Sequence, residues 1–218
     1  MKWRLLETLD EADVTRVLEE TTTRRFRRGD VVFHEGEHGD VLHLIASGSA
    51  SVHVSTPLGD VATIRVLGPG DAFGEMSLVD PVSVRSATIV ALEPLETRAL
   101  RQCDFDSVCK RHPAVREIVS QMLVEHVNRL SAQLLDALYV PADRRVVRRL
   151  AELASIYDAR RDGHIVVPIT QEDLATMAGT TRPTANRTLQ ELAAAGIVEL
   201  RRGRFDIVDV AALAERAG

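Results

Sequence analysis

The sequence predicts an α+β chain: a roll of short antiparallel strands first, a long helix second, and a compact helical domain with a terminal hairpin third. Three observations carry that class. Between residues 24 and 100, short apolar runs alternate with polar positions and are broken by glycine, as in "GDVVFHEGEHGDVLHLIASGSASVHV" and "GDVATIRVLGPGDAFGE", the period of half-buried strands joined by tight turns. From Val115 to about Leu138 the apolar spacing becomes that of a helix. Beyond Pro141, two short helical patterns flank Gly179 and a strand pair follows. These changes of period place the divisions at 1–114, 115–140 and 141–218.

Composition narrows the functions open to such a chain. With 218 residues, 45% hydrophobic and 27% charged, it fills one large domain or two small ones with ordinary cores. The start "MKWRLLETLDEADVTRVL" lacks the apolar stretch of a secretory signal and no run has the length of a membrane span, so a cytoplasmic location without membrane contact is expected. Cys103 and Cys109 have no second cysteine cluster beside them, which excludes a four-cysteine metal or iron–sulfur site and predicts reduced thiols. His34, His38, His43 and His53 fall on or near strands and are expected as polar strand positions, with no metal site. No nucleophile, base and orienting group recur at a recognisable spacing, so no catalytic residue and no enzyme are expected. The net charge is −5, yet it is uneven: from Pro141 onward there are 12 Arg against 11 acidic residues, whereas residues 1–140 carry 15 basic and 21 acidic residues. A local basic face still holds phosphates, because the footprint depends on where charges sit.

The elements follow in chain order. Gly29-Asp30, Gly39-Asp40, Gly59-Asp60 and Gly70-Asp71 recur at hairpin spacing and are expected as turns. In "FGEMSLVDPVSVRSAT" an acidic residue, Glu75, follows a glycine, and Arg85 stands alone among small and apolar residues. Both are expected to face inward, and an inward guanidinium needs an anion. That anion is either a ligand or Glu75 itself. In the helical stretch Leu123, Val127, Leu130, Leu134 and Ala137 form a heptad-type seam broadened by Ile118 and Met122, which predicts a two-chain coiled coil ended by Pro141. Thr170 with Asp173 predicts a capped helix through Ala178, and Thr181 a cap for a second helix whose core face is Ala185, Leu189 and Leu192. Arg182, Asn186 and Arg187 then lie on the outer side. "VELRRGRFDIV" reads as a hairpin with Arg202 and Arg204 at its tip.

Taken together, "FGE" followed by "RSA", and "TQEDLATMAG" followed by "TRPTANR", resemble the Crp/Fnr family, the cyclic-AMP receptor proteins and their relatives. The resemblance covers nearly the whole chain. It implies a double-stranded β-helix (jelly-roll) cyclic-nucleotide-binding domain, a long dimerisation helix and a winged helix-turn-helix. By that resemblance Arg85 and Ser86 hold the phosphate of cAMP, Glu75 accepts from the ribose hydroxyl, Gly74 permits close approach, and the backbone at Met76 and Ser77 completes the cradle. The base is read from the long helix at Leu130 and Ser131, where the family has two hydroxyl residues, so one hydrogen bond to the base is missing here. Arg182 and Arg187 read guanines in the major groove, with Pro183 in place of a family glutamate; Thr170, Thr184 and Asn186 are further DNA contacts, and Arg202 and Arg204 of the wing hold phosphates. Leu123, Val127, Leu130 and Leu134 join two copies. The implied partners are a palindromic DNA operator, a second copy, cAMP as effector and RNA polymerase. The other readings are a sensing module acting through protein contacts and a DNA binder that needs no ligand.

Overall fold

A computed structural model describes residues 3, 6, 7, 9–56, 59–76, 84–157 and 165–218. The chain is α+β, and its residues cluster into two compact units, the first comprising residues 1–54 and 67–129, the second residues 55–66 and 130–218.

The amino-terminal region opens with helix α1 (Glu11–Glu19), started by the Asp10 carboxylate accepting from the Asp13 N–H at 2.8 Å. Eight strands follow: β1 (Thr22–Phe26), β2 (Val31–Phe33), β3 (Val41–Ser47), β4 (Ala50–Ser55), β5 (Val61–Leu67), β6 (Ala72–Phe73), β7 (Thr88–Ala91) and β8 (Leu95–Arg101). They form two four-stranded sheets, ordered β1-β8-β3-β6 and β2-β7-β4-β5, the double layer of a jelly roll. Strand β3 is buried on both faces because its side chains serve two cores. On one side Leu42 and Leu44, with Leu100 of β8, meet Trp3, Val17 of α1 and Phe105 and Val108 of helix α2 (Gln102–Arg111). On the other, Ile45 packs with Phe73, Ile89 and Leu95 between the sheets. The Trp3 indole N–H donates to the Ile45 carbonyl at 3.0 Å, satisfying a polar atom that burial would otherwise strand.

Helix α3 (Pro113–Tyr139) runs unbroken for 27 residues, about 40 Å. Its first turns belong to the β domain: Val115 and Val119 are buried in the outer core, and Met122 and Leu123 are packed against it. Leu123 is thus half-buried against the core of its own domain. Heptad spacing reports that a face is apolar and is silent on what covers it. Further along, Val124, Val127, Leu130, Leu134, Leu135 and Leu138 are exposed, Leu134 at 60%. The side chain of Ile118 lies outside the description.

The carboxyl-terminal domain consists of α4 (Ala142–Tyr157), β9 (Ile165–Val167), α5 (Gln171–Met177), α6 (Arg182–Ala194), the hairpin β10 (Val198–Arg201) and β11 (Arg204–Ile207), and α7 (Val210–Ala217). Its small sheet has the order β10-β11-β9. Leu150, Leu153, Leu174, Ala185, Leu189, Leu192, Phe205 and Leu213 are buried, so every helix and the hairpin contribute to one core.

Candidate functional site

In the β domain the chemistry gathers around Arg85, which has only 7% exposure. Its Nη2 donates to the Val41 carbonyl at 2.8 Å and its Nη1 to the Gly74 carbonyl at 3.3 Å. The guanidinium carbon lies 4.1 Å from the centroid of the Phe33 ring, a cation–π contact. Two glycines make room for it. A Cβ on Gly39 would collide with the guanidinium, and one on Gly74 would come within 2.6 Å of Nη1. Gly74 also has φ +85°, a conformation costly for any other residue. Burial lowers the Arg85 pKa, while the negative charges of Asp40, Glu75 and Glu37 raise it. Glu75 is half-buried near this charge, and no Glu75–Arg85 ion pair occurs among the described residues. Met76 and Ser86 are exposed. Ser77 lies outside the described residues. Leu130 and Ser131 are exposed on α3 in the second unit.

The four Gly-Asp pairs separate into two kinds. Gly29, Gly59 and Gly70 have the positive φ of turn glycines, and the Asp30 and Asp71 carboxylates accept from the N–H groups of Arg27 and Gly68. Gly39 does not have that conformation; it is small because Arg85 fills the space of its missing side chain. Sequence reasoning assigned it to turn chemistry, and it passed over Phe33 and Val41. A repeated dipeptide hides the one member with a different task.

His43 sits beside this cluster, 7% exposed, its ring stacked 4.9 Å from that of Phe73 and its Nδ1 3.0 Å from the Thr97 hydroxyl. Burial, then Arg85, then Arg24 lower its pKa from 6.5 to about 4. His34 and His38 are exposed, and His53 bonds Ser51 at 2.7 Å. Among the described residues no three His, Cys, Asp or Glu side chains are grouped to hold a metal ion.

In the carboxyl-terminal domain α5 and α6 form the helix-turn-helix. Thr170 and Asp173 make a reciprocal capping box: the Thr170 Oγ1 accepts from the Asp173 N–H at 3.1 Å and Asp173 Oδ2 accepts from the Thr170 N–H at 3.0 Å. Gly179, at φ +58°, makes the turn. Thr181 occupies the N-cap position of α6 without a side-chain capping bond; its hydroxyl pairs with that of Thr184 at 3.1 Å. Pro183 supplies the reason, since it removes one of the two backbone N–H groups that an N-cap side chain uses. Arg182, Pro183 and Arg187 are exposed. Asn186 departs from its expected place on the open face. It is half-buried, and its Nδ2 donates to Gln171 Oε1 at 2.8 Å, tying α6 to α5. At one position past the buried Ala185 the side chain lies on the rim of the core face.

The hairpin distinguishes Arg202 from Arg204. Arg204 Nε lies 3.2 Å from Asp206 Oδ1, whereas Arg202 at the tip is exposed with no ion pair among the described residues. Arg145 of α4 went unremarked in the sequence although it bonds several main-chain carbonyls. Its Nη1 donates to the Val140 carbonyl at 2.7 Å, its Nε to the Ala178 carbonyl at 2.8 Å and its Nη2 to the Gly179 carbonyl at 2.9 Å. One fork therefore caps the end of α3 and the turn of the helix-turn-helix. Its signal was lost among neighbouring arginines in "ADRRVVRRL".

A jelly roll with a glycine-flanked internal arginine, followed by a helix-turn-helix with exposed arginines at the start of its second helix, defines a class: a regulator of transcription with a separate β-roll domain. Comparison with known proteins specifies it. Residues 23–112 match the cyclic nucleotide-binding domain and residues 144–216 the Crp-like helix-turn-helix domain. A "CRP-like cAMP-activated global transcriptional regulator" of Mycobacterium tuberculosis is 32% identical over 198 residues, covering 88% of this chain and 86% of that protein. The "Cyclic AMP receptor protein" of Thermus thermophilus is 33% identical over 194 residues, covering 89% and 87%. The crystal structure of the Thermus thermophilus Catabolite Activator Protein aligns with a TM-score of 0.58 at 31% identity, covering 98% of each chain. The chain belongs to the Crp family of transcription regulators, which are not enzymes. No helix among the described residues is long and apolar enough to cross a membrane.

Proposed function

We propose that the chain is a cytoplasmic homodimeric regulator that binds cAMP in its β roll and, when loaded, a palindromic DNA site next to which it contacts RNA polymerase. The observation that carries the effector reading is the setting of Arg85: a buried guanidinium with a glycine on each side, where any side chain would collide. A singly charged phosphodiester suits a forked donor of this kind. The residues we assign to it are Gly74, Glu75, Met76, Ser77, Arg85 and Ser86, with Leu130 and Ser131 facing the base. Leu130 accepts and donates nothing, so base discrimination rests on Ser131.

Arg182 and Arg187 are assigned to base edges and Arg202 to a phosphate. Pro183 offers no acceptor to cytosine, which relaxes preference at one base pair per half-site. The exposed apolar face of α3, Val127, Leu130 and Leu134, supports a dimer, because water is a poor neighbour for so many adjacent leucines. Leu134→Asp is expected to yield monomers in light scattering and to abolish tight DNA binding, since one half-site supplies too few contacts; an unchanged dimer mass would refute the assignment.

Calorimetric titration with cAMP and cGMP, followed by a gel shift with and without nucleotide, tests the whole reading. Nucleotide binding that leaves DNA affinity unchanged would favour a sensing module acting through protein contacts. DNA binding without any nucleotide affinity would favour a ligand-independent regulator.

A further inference from the structure

The β domain holds a further cavity of about 300 Å³, among whose walls are Arg24 and Phe26 of β1, Val32 of β2, Val41 and His43 of β3, and Arg101 at the end of β8. The register sets Arg24 opposite Thr97, His43 opposite Ala99 and Val41 opposite Arg101. These side chains therefore share one face of the β1-β8-β3 sheet, because opposed residues point the same way. The walls are of two kinds: an apolar floor of Phe26, Val32 and Val41, and a cationic rim.

The two rim arginines differ. The Arg101 Nε is bound to Asp104 Oδ2 at 2.9 Å, whereas Arg24 is exposed with no ion pair among the described residues. His43 adds a polar point on the wall. Its hydrogen bond is made through Nδ1 to Thr97, which leaves Nε2 without a protein partner in a ring that is 7% exposed. That nitrogen is accessible rather than sealed, so it is free to bond an occupant of the cavity that His43 lines. The volume is at the lower end of ligand cavities, roughly 300–1,000 Å³, which suits a single ring rather than a long chain.

We propose that this cavity is a second small-molecule site, which takes an aromatic hydroxy acid with its ring against Phe26 and Val32, its carboxylate on Arg24 and its hydroxyl on His43 Nε2. The site adjoins the nucleotide assignment without sharing its residues: Val41 lines the cavity and its carbonyl accepts from Arg85, and the Phe33 ring lies between Arg85 and His43.

The test is titration of the full chain with 4-hydroxybenzoate and benzoate, followed by ligand-observed NMR and calorimetry. Saturable binding with a roughly millimolar Kd is expected for a ligand of this size, tighter for the hydroxylated acid. Arg24→Gln, a surface change that leaves the core intact, should weaken both acids by roughly tenfold. His43→Phe should remove the advantage of 4-hydroxybenzoate over benzoate. Arg85→Leu should leave acid binding in place whatever it does to cAMP, so failure of the nucleotide reading and failure of this one are separable. Absence of saturable binding in the millimolar range, equal binding by Arg24→Gln, loss in Arg85→Leu, or equal displacement by inorganic phosphate would each overturn the proposal.

Discussion

Arg85 and Arg187 are the same side chain in opposite settings. Arg85 is buried, held by two carbonyl groups and laid on an aromatic ring; Arg187 is exposed on the outer side of a helix whose other face is buried. The β domain has already met the desolvation cost of its cation and lost that cation's rotamer freedom on folding. The helix-turn-helix defers both costs until DNA arrives. The first arrangement predicts all-or-none, salt-insensitive effects, and the second graded, salt-dependent ones.

The largest effect is expected at Arg85. Arg85→Leu should lower cAMP affinity by about 2–5 kcal/mol or more, beyond the reach of calorimetry, while the chain stays folded and dimeric. A large fall in melting temperature without ligand would instead make Arg85 a structural cation, and the contrast with Arg187 would disappear.

Next comes a pH effect confined to the β domain. The His43 pKa is lowered on folding from 6.5 to about 4, so between those values the unfolded chain binds a proton that the folded chain does not. Stability is therefore complete above pH 6.5 and falls as pH drops towards 4, by about 3 kcal/mol across the window. Urea midpoints measured over that range should show the loss in the native chain and lack this component in His43→Phe. An equal slope in both would assign the pH dependence elsewhere.

For the exposed arginines the effects are smaller. Arg187→Ala should cost about 1–3 kcal/mol on a specific palindrome and relax preference at one position per half-site, read by selection from a randomised library. Uniform weakening on every sequence would move Arg187 from base edge to phosphate. Smallest are the hairpin arginines. Arg202→Ala should weaken specific and random DNA alike and reduce the logarithmic salt slope by about 1. Arg204→Ala should do less, because the Arg204 guanidinium is already engaged by Asp206. Equal slopes for the two would show that DNA breaks that ion pair.

Much of this was legible along the chain. The capping box at Thr170 and Asp173, the buried face Ala185, Leu189 and Leu192, and the hairpin that turns between Arg201 and Arg204 are all local, set by residues three or four apart or by a turn. The inward placement of Arg85 was also legible, because a lone cation among small residues has few places to go. What failed were statements about a neighbour. Thr181 was expected to cap and is diverted to Thr184 by the proline between them; Asn186 was expected to face outward and is held by Gln171, fifteen residues away.

The sequence by itself determined the order of domains, the type of each element and the residue types capable of binding an anion, since these follow from periodicity and side-chain chemistry within a few residues. Only the tertiary structure decided that Gly39 is small for Arg85 rather than for a turn, that Phe33 and Val41 are its partners, that Leu123 packs against the core of the β domain, and that Arg145 caps two segments at once. The physical reason is range. Backbone hydrogen bonds and helical faces are closed by near neighbours, while a guanidinium or an apolar side chain is satisfied by whichever strands and helices the fold brings beside it, at sequence separations that no local pattern encodes.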